Sequence, residues 1–205
     1  MYSTRAGLIL AFHGCDESTV DDIISGKSSL NQSINKYDWL GHGIYFWDNS
    51  PVRALEYATF LKKNPGRARK PIKNPAVIGA VINLGRCLDL LDFENLELVK
   101  LGYKLLEISH KASGFKMPAN KSTGAGNELL LRELDCAVIE MLHQVRKNEG
   151  LPMFDSVRGV FWEGEPLYPN AGFREKDHIQ ICIRNPNCIK GYFLPRTVDS
   201  KFNTV

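Results

Sequence analysis

No apolar run in this 205-residue chain approaches the ~18 residues a membrane-spanning helix needs, and its first residues lack a secretory leader's basic start and apolar stretch. The expectation is a cytoplasmic protein with no membrane partner. Cysteine is scarce: the five, at 15, 87, 136, 182 and 188, are odd in number and form no C-x-x-C pair. That argues against a disulfide framework and a zinc ribbon, and leaves them as small buried hydrophobes. His178 and Cys182 are four apart, but in a stretch that reads as a strand and without two further ligands, so no metal is expected. No repeat or low-complexity segment is present. Helix and strand signals do not alternate regularly either, which favours α+β over a wound α/β fold.

What is present is an ordinary globular composition, 43% hydrophobic and 24% charged with a formal charge of +3, of a length that suits one domain over residues 1–205. GLILAF (7–12) reads as a buried strand ending at His13-Gly14, and STVDDIISG as a short helix capped by Ser18 and stopped by Gly26. GIYFW is the next strand, and NSPVRALEYATFLKK a helix with Asn49 or Ser50 as cap and Pro51 in its first turn. Residues 62–73, KKNPGRARKPIK, hold six Lys or Arg and no acid. Pro65, Gly66 and Pro71 make this a loop, read either as a solvated surface or as a phosphate-contacting edge. AVIGAVINLG is a further strand, and CLDLLD continues it or turns from it. Helices are expected over 93–112 and 127–147 with a mobile loop between them, and SVRGVFW, HIQICI and IKGYF are closing strands.

AFHG, followed some thirty residues later by GHGIYFWDNSPVRALEYA, resembles the first two motifs of the ADP-ribosyltransferase superfamily, in its poly-ADP-ribose polymerase and diphtheria-toxin branch. AVIGAVINLGRCLDL resembles that family's next strand, so the likeness spans roughly the first ninety residues; residues 93–150 match nothing in it and are read as a helical insert. The resemblance implies split antiparallel sheets with peripheral helices and NAD+ in the cleft between the sheets. It implies that His13 bonds a ribose hydroxyl, that the Gly14 main chain grips the nicotinamide carboxamide, and that Tyr45 and Tyr57 sandwich the nicotinamide ring. Ser50 and Arg53, near the helix start, join the NAD+-contacting set; the family's hydroxyl residue there is matched by Ala54, with Ser50 the only hydroxyl nearby. Singly, each of these residues reads as structural; their joint spacing carries the functional reading.

Active family members place a glutamate on a late strand, where a fixed negative charge stabilises the oxocarbenium-like transition state. Measured back from NCIKGYF, Gln180 stands at that place. Either Gln180 orients the ribose, or a carboxylate of the preceding loop, Glu163, Glu165 or Glu175, enters the site, or NAD+ is bound without turnover. The resemblance implies transfer of a single ADP-ribose. Trp162, Tyr168 and Phe173 beside Arg174 and Lys176, with the basic 62–73 loop, favour an RNA or DNA acceptor over protein. Small size and such an acceptor fit a bacterial toxin with an antitoxin, or a phage-defence effector. An NAD+ glycohydrolase, a non-catalytic NAD+-binding module and a plain nucleic-acid-binding domain are the alternatives.

Overall fold

The structure, a computed structural model, describes residues 7–68, 70–122 and 129–203. Along them run β1 (Ile9–Asp16), α1 (Glu17–Ile24), β2 (Ile44–Asp48), α2 (Pro51–Lys63), β3 (Pro75–Ile82), β4 (Cys87–Asp89) and α3 (Phe93–Ser113). β5 (Asn120–Lys121), β6 (Leu131–Arg132), α4 (Glu133–Asn148), β7 (Ser156–Phe161), β8 (His178–Ile183) and β9 (Ile189–Phe193) complete the order. Seven strands form one mixed sheet, β4-β7-β8-β2-β1-β3-β9, and β5 pairs with β6 apart from it. Within the sheet β4 and β7 are parallel and the other neighbours antiparallel. The class is α+β.

Where two split sheets were expected, the strands form one ladder, but its centre is thin. β1 and β2 are joined by only two residue pairs, Ala11↔Asp48 and Phe12↔Trp47, whereas β1 and β3 pair over all eight residues from Ile9 to Asp16. That long pairing is also why β1 does not end at His13-Gly14: its other edge continues through Gly14↔Val77 to Asp16↔Pro75.

Strand alternation sorts the core into two faces. Ala11, Cys15, Ile44, Phe46, Ile78, Ile181 and Ile183 pack together on one. Phe12 and Trp47 pack with Ala54 of α2 on the other, and Cys182 packs with Leu40, Leu88, Val157 and α4's Ile139 and Leu142. Residues 93–150 therefore help to build the core, with Leu98 and Val99 of α3 against the same cluster. Across the sheet, buried Arg158 bonds Asp48 through Nε and Nη2 (3.2 and 3.0 Å) and Asp89 through Nη1 (3.2 Å), tying β7, β2 and β4 together.

Local chemistry moved several boundaries. α1 is capped by Asp16 rather than Ser18: the Asp16 carboxylate accepts the Ser18 N–H and hydroxyl (3.1 and 2.7 Å) as well as the Lys73 and Asn74 amides. Those bonds, the Ser18 hydroxyl's first, hold its pKa at about 2. CLDLLD supplies a separate strand, β4, because Cys87–Asp89 pair in parallel with Ser156–Arg158. α4 begins at Glu133, after the Asn120–Lys121 ladder has claimed Leu131 and Arg132, and the earlier expected helical residues 127 and 128 lie outside the described set. Asn120 then caps α4, its Oδ1 accepting the Leu134 amide at 2.9 Å. None of the five cysteines is in a disulfide, and all are buried.

Candidate functional site

The thin seam between β1 and β2 organises the site. Asn49 N–H bonds the Leu10 carbonyl (3.0 Å), and Phe12 pairs with Trp47. Alternation then turns the main-chain groups of Leu10, Phe12 and Gly14 toward β2. The ladder stops at Phe12, so Gly14 faces β2 with no rung opposite it. Two residues beyond Tyr45, at Gly43, the same edge of β2 pairs instead with Ser33 (2.7 and 3.0 Å). Between Trp47 and Gly43 this edge is thus open over three residues, Ile44 to Phe46, a span of about 13 Å at the usual strand rise.

His13 bridges this opening. Its Nδ1–H donates to the Tyr45 carbonyl at 2.7 Å, taking a main-chain acceptor that a continued ladder would have used. Its side chain leaves β1 on the Phe46 face, against which the ring lies edge-on at 5.9 Å. Burial lowers the His13 pKa, and the carbonyl bond partly opposes that. At neutral pH the ring is therefore neutral with the proton on Nδ1, which leaves Nε2 as an acceptor.

Gly14, Tyr45 and Gln180 share the opposite face, the one α2 covers. A Cβ on Gly14 would lie 1.9 Å from the Ala54 carbonyl oxygen and 3.2 Å from the Ala58 Cβ, so only glycine lets α2 sit this close to β1. Tyr45 buries its phenol in the turn that precedes β2, where the hydroxyl accepts from the Leu40 amide (3.0 Å) and donates to the Gly41 carbonyl (2.8 Å). Tyr57, on α2, leans on Trp47 with centroids 5.1 Å apart and stacks near Phe60 at 6.4 Å. No ring contact joins Tyr45 to Tyr57 among the described residues; the aromatic facing Tyr57 from the sheet is Trp47. Both phenols are raised in pKa, by desolvation first, and the Asp38 carboxylate contributes to each, which puts it within electrostatic reach of both.

Gln180 stands on β8 with Trp47 and Gly159 as cross-strand neighbours. Its Oε1 accepts the Trp39 indole N–H at 2.7 Å, so its amide NH2 is the group left to meet a ligand. Trp39 itself lies edge-on to Phe161 (5.0 Å) under the Arg132 guanidinium, and a Cβ on Gly159 would approach it to 3.0 Å.

The loop carboxylates are placed differently. Residues 162–177 form a hairpin in which Glu175 N–H bonds the Glu165 carbonyl and Lys176 N–H the Glu163 carbonyl. Glu163 accepts from Arg53 at 3.1 Å, and Arg53 also pairs with Glu56, which in turn binds Lys176 at 2.9 Å. Arg53 therefore latches the hairpin to the start of α2, while Ser50 caps that helix without a side-chain bond. Glu165 and Glu175 are exposed. Arg174 stacks over Trp162 at 4.3 Å and bonds the Gly164 carbonyl, whereas Tyr168 and Phe173 project outward, 57% and 65% exposed.

Three buried polar atoms near Tyr57 and the hairpin, Trp47 Nε1, His178 Nε2 and Arg53 Nε, have no hydrogen-bond partner. His178 donates Nδ1–H to the Lys176 carbonyl, so two donors and one acceptor are left open there. Two cavities lie elsewhere: one of about 350 Å3 between Leu30, Ile44 and Tyr192, and one of about 310 Å3 between Trp39, Val99, Tyr103 and Ile139. Neither is lined by His13, Tyr45, Tyr57 or Gln180.

Trp39, Asp38 and Trp47 were missed by sequence reasoning. A tryptophan and an acid in an otherwise polar, irregular stretch was the only signal for the first two, and Trp47 entered only as the last residue of the GIYFW strand. Comparisons with protein-family models, curated proteins and solved structures returned no match. Among the described residues, no helix is long and apolar enough to cross a membrane.

Proposed function

We propose that this protein is a mono-ADP-ribosyltransferase of the poly-ADP-ribose polymerase and diphtheria-toxin type, taking NAD+ as substrate and passing one ADP-ribose to a nucleic acid. The observation that carries the reading is the open seam: an unpaired stretch between β1 and β2 faced by the Gly14 main chain and the Tyr45 carbonyl, with the His13 imidazole on one face of the sheet and the Tyr45 ring, Gln180 and the Tyr57 helix on the other. In this reading the Gly14 amide and carbonyl hold the carboxamide, His13 Nε2 accepts from a ribose hydroxyl, and the Gln180 NH2 donates to the nicotinamide ribose. The bond from ribose C1′ to the nicotinamide nitrogen breaks and nicotinamide leaves with the electron pair. The acceptor's nucleophile then forms the new bond to C1′ and loses its proton.

Gln180 keeps the hydrogen-bonding shape of a glutamate without its charge. Glu163 is engaged with Arg53, and Glu165 and Glu175 are exposed. A nucleic-acid acceptor is supported by what flanks α2: the 62–73 loop at one end, with Arg67 over Phe60 at 5.6 Å, and the hairpin with Tyr168 and Phe173 at the other. The absent charge at position 180 favours one further reading, a module that binds NAD+ without cleaving it.

Incubation with NAD+ labelled in its ADP-ribose part, against separate pools of RNA, DNA and protein, tests this. Label in a nucleic-acid pool, abolished by Gln180→Ala and retained by Glu175→Ala, is the expected result. Label in protein would move the acceptor, free ADP-ribose without any acceptor would make the enzyme a glycohydrolase, and NAD+ binding without nicotinamide release would select the non-catalytic module. Growth arrest on expression, relieved by His13→Ala and by a co-expressed antitoxin, would place the activity in a toxin.

A further inference from the structure

The turn between Asp38 and Gly43 holds both Tyr45 and Gln180, and it is itself held by α4. Tyr45 is tied to the turn through Leu40 and Gly41, and Gln180 through the Trp39 indole. On the far side, Glu140 Oε1 accepts the His42 amide at 2.8 Å, and Arg184 Nη1 donates to the His42 carbonyl at 3.0 Å. Glu140 and Arg184 bind each other through both carboxylate oxygens, at 2.5 and 3.1 Å. Both main-chain groups of His42 therefore end on one ion pair. The clamp is tight: Gly41 has φ +79°, and a Cβ there would lie 2.5 Å from Glu140 Oε1 and 2.9 Å from Arg184 Nη1.

We infer that Glu140 and Arg184 are positioning residues: by clamping the Asp38–Gly43 turn they set Tyr45 and Gln180 against NAD+, so that the α4 segment is a working part of the site. This rests on the function proposed above. Two arms leave the turn, and they carry different kinetic signatures. Tyr45 is a binding surface for the nicotinamide end, so slack on its side raises KM. Gln180 meets the ribose where charge develops, so slack on its side lowers kcat.

The test uses three variants of the full chain. Glu140→Gln keeps shape and loses charge; its expected effect is a rise of about tenfold in KM for NAD+, the size of a lost charge-assisted hydrogen bond. Trp39→Phe removes the indole N–H while keeping an aromatic ring in place, and should lower kcat about tenfold with KM held within about twofold. Leu106→Ala, buried on α3 and outside the cluster that holds Leu40 and Tyr45, should lower the unfolding midpoint at least as far as Glu140→Gln while leaving both constants within about twofold. Equal kinetic effects of Glu140→Gln and Leu106→Ala, or none from Glu140→Gln, overturn the inference. A wild type that neither binds nor consumes NAD+ removes the proposed function instead. The clamp is then decided by amide exchange at His42: acceleration confined to the 38–43 turn in Glu140→Gln supports it, and unchanged exchange refutes it.

Discussion

Gly14→Ala probes the packing that brings α2 and its tyrosine to the seam. The added Cβ would meet the Ala54 carbonyl oxygen at 1.9 Å, where an ordinary contact is well over 3 Å, and the Ala58 Cβ at 3.2 Å. The first overlap is with main chain and cannot be relieved by a rotamer, so α2 must lift off β1 or β1 must bend. Overpacking of this kind costs about 1–3 kcal/mol. For a domain of this length that lowers Tm by roughly 3–10 °C. Gly191→Ala, on β9 with nothing within 4 Å of its Cβ, is the control and should stay within about 0.5 kcal/mol of wild type. Ala54→Gly should not rescue Gly14→Ala, because the offending atom is the carbonyl oxygen rather than a methyl. Urea unfolding of the four proteins reads all of this. Equal stability of Gly14→Ala and wild type, or full rescue by Ala54→Gly, would refute the packing argument.

Other consequences are as direct. Asp48→Ala leaves the Arg158 guanidinium, with a side chain only 5% exposed, holding one of its two carboxylates, and should cost about 3 kcal/mol in urea unfolding; a loss below about 1 kcal/mol would show that the triad is not stabilising. His143 is buried and its pKa is lowered to about 4, by desolvation first and then by Arg184. The unfolded chain then binds the extra proton between pH 6.5 and 4, so this contribution to stability is complete above pH 6.5 and falls away toward pH 4. The ceiling is about 3 kcal/mol. His143→Leu should flatten the acid limb of the stability profile, and an unchanged slope contradicts the assignment. Burial raises the Cys15 thiol to about 11 and Cys136 to about 12, so at pH 8 the folded protein should resist a thiol reagent and expose five thiols on unfolding; rapid modification in the folded state contradicts the burial.

The sequence carried the fold wherever pattern and local chemistry agreed. The Pro51 helix start and the strands around Ile44, Ile78 and Ile181 follow from apolar runs bounded by turn residues, and the structure has them. Boundaries slipped where a distant partner decided. Asp16 displaced Ser18 as helix cap because Lys73 and Asn74 draw it to that position, and Cys87–Asp89 became a strand because β7 was there to pair with it. Single-sheet continuity was illegible for the same reason: it depends on two long-range pairs between β1 and β2. Within the site, motif spacing singled out His13, Gly14, Tyr45 and Gln180. It could not reveal that Trp39 holds Gln180 or that Trp47 stands against Tyr57, because those contacts join segments that no local pattern relates.

The most direct measurement is a titration of isotope-labelled protein with NAD+, followed through the Gly14 amide and the His13 ring nitrogens. Binding in the seam predicts saturable shifts at the Gly14 amide, at His13 Nε2 and at the Trp39 indole, which reports on Gln180. No response at these groups up to millimolar NAD+, or shifts confined to the cavity beside Val99 and Tyr103, would contradict the account.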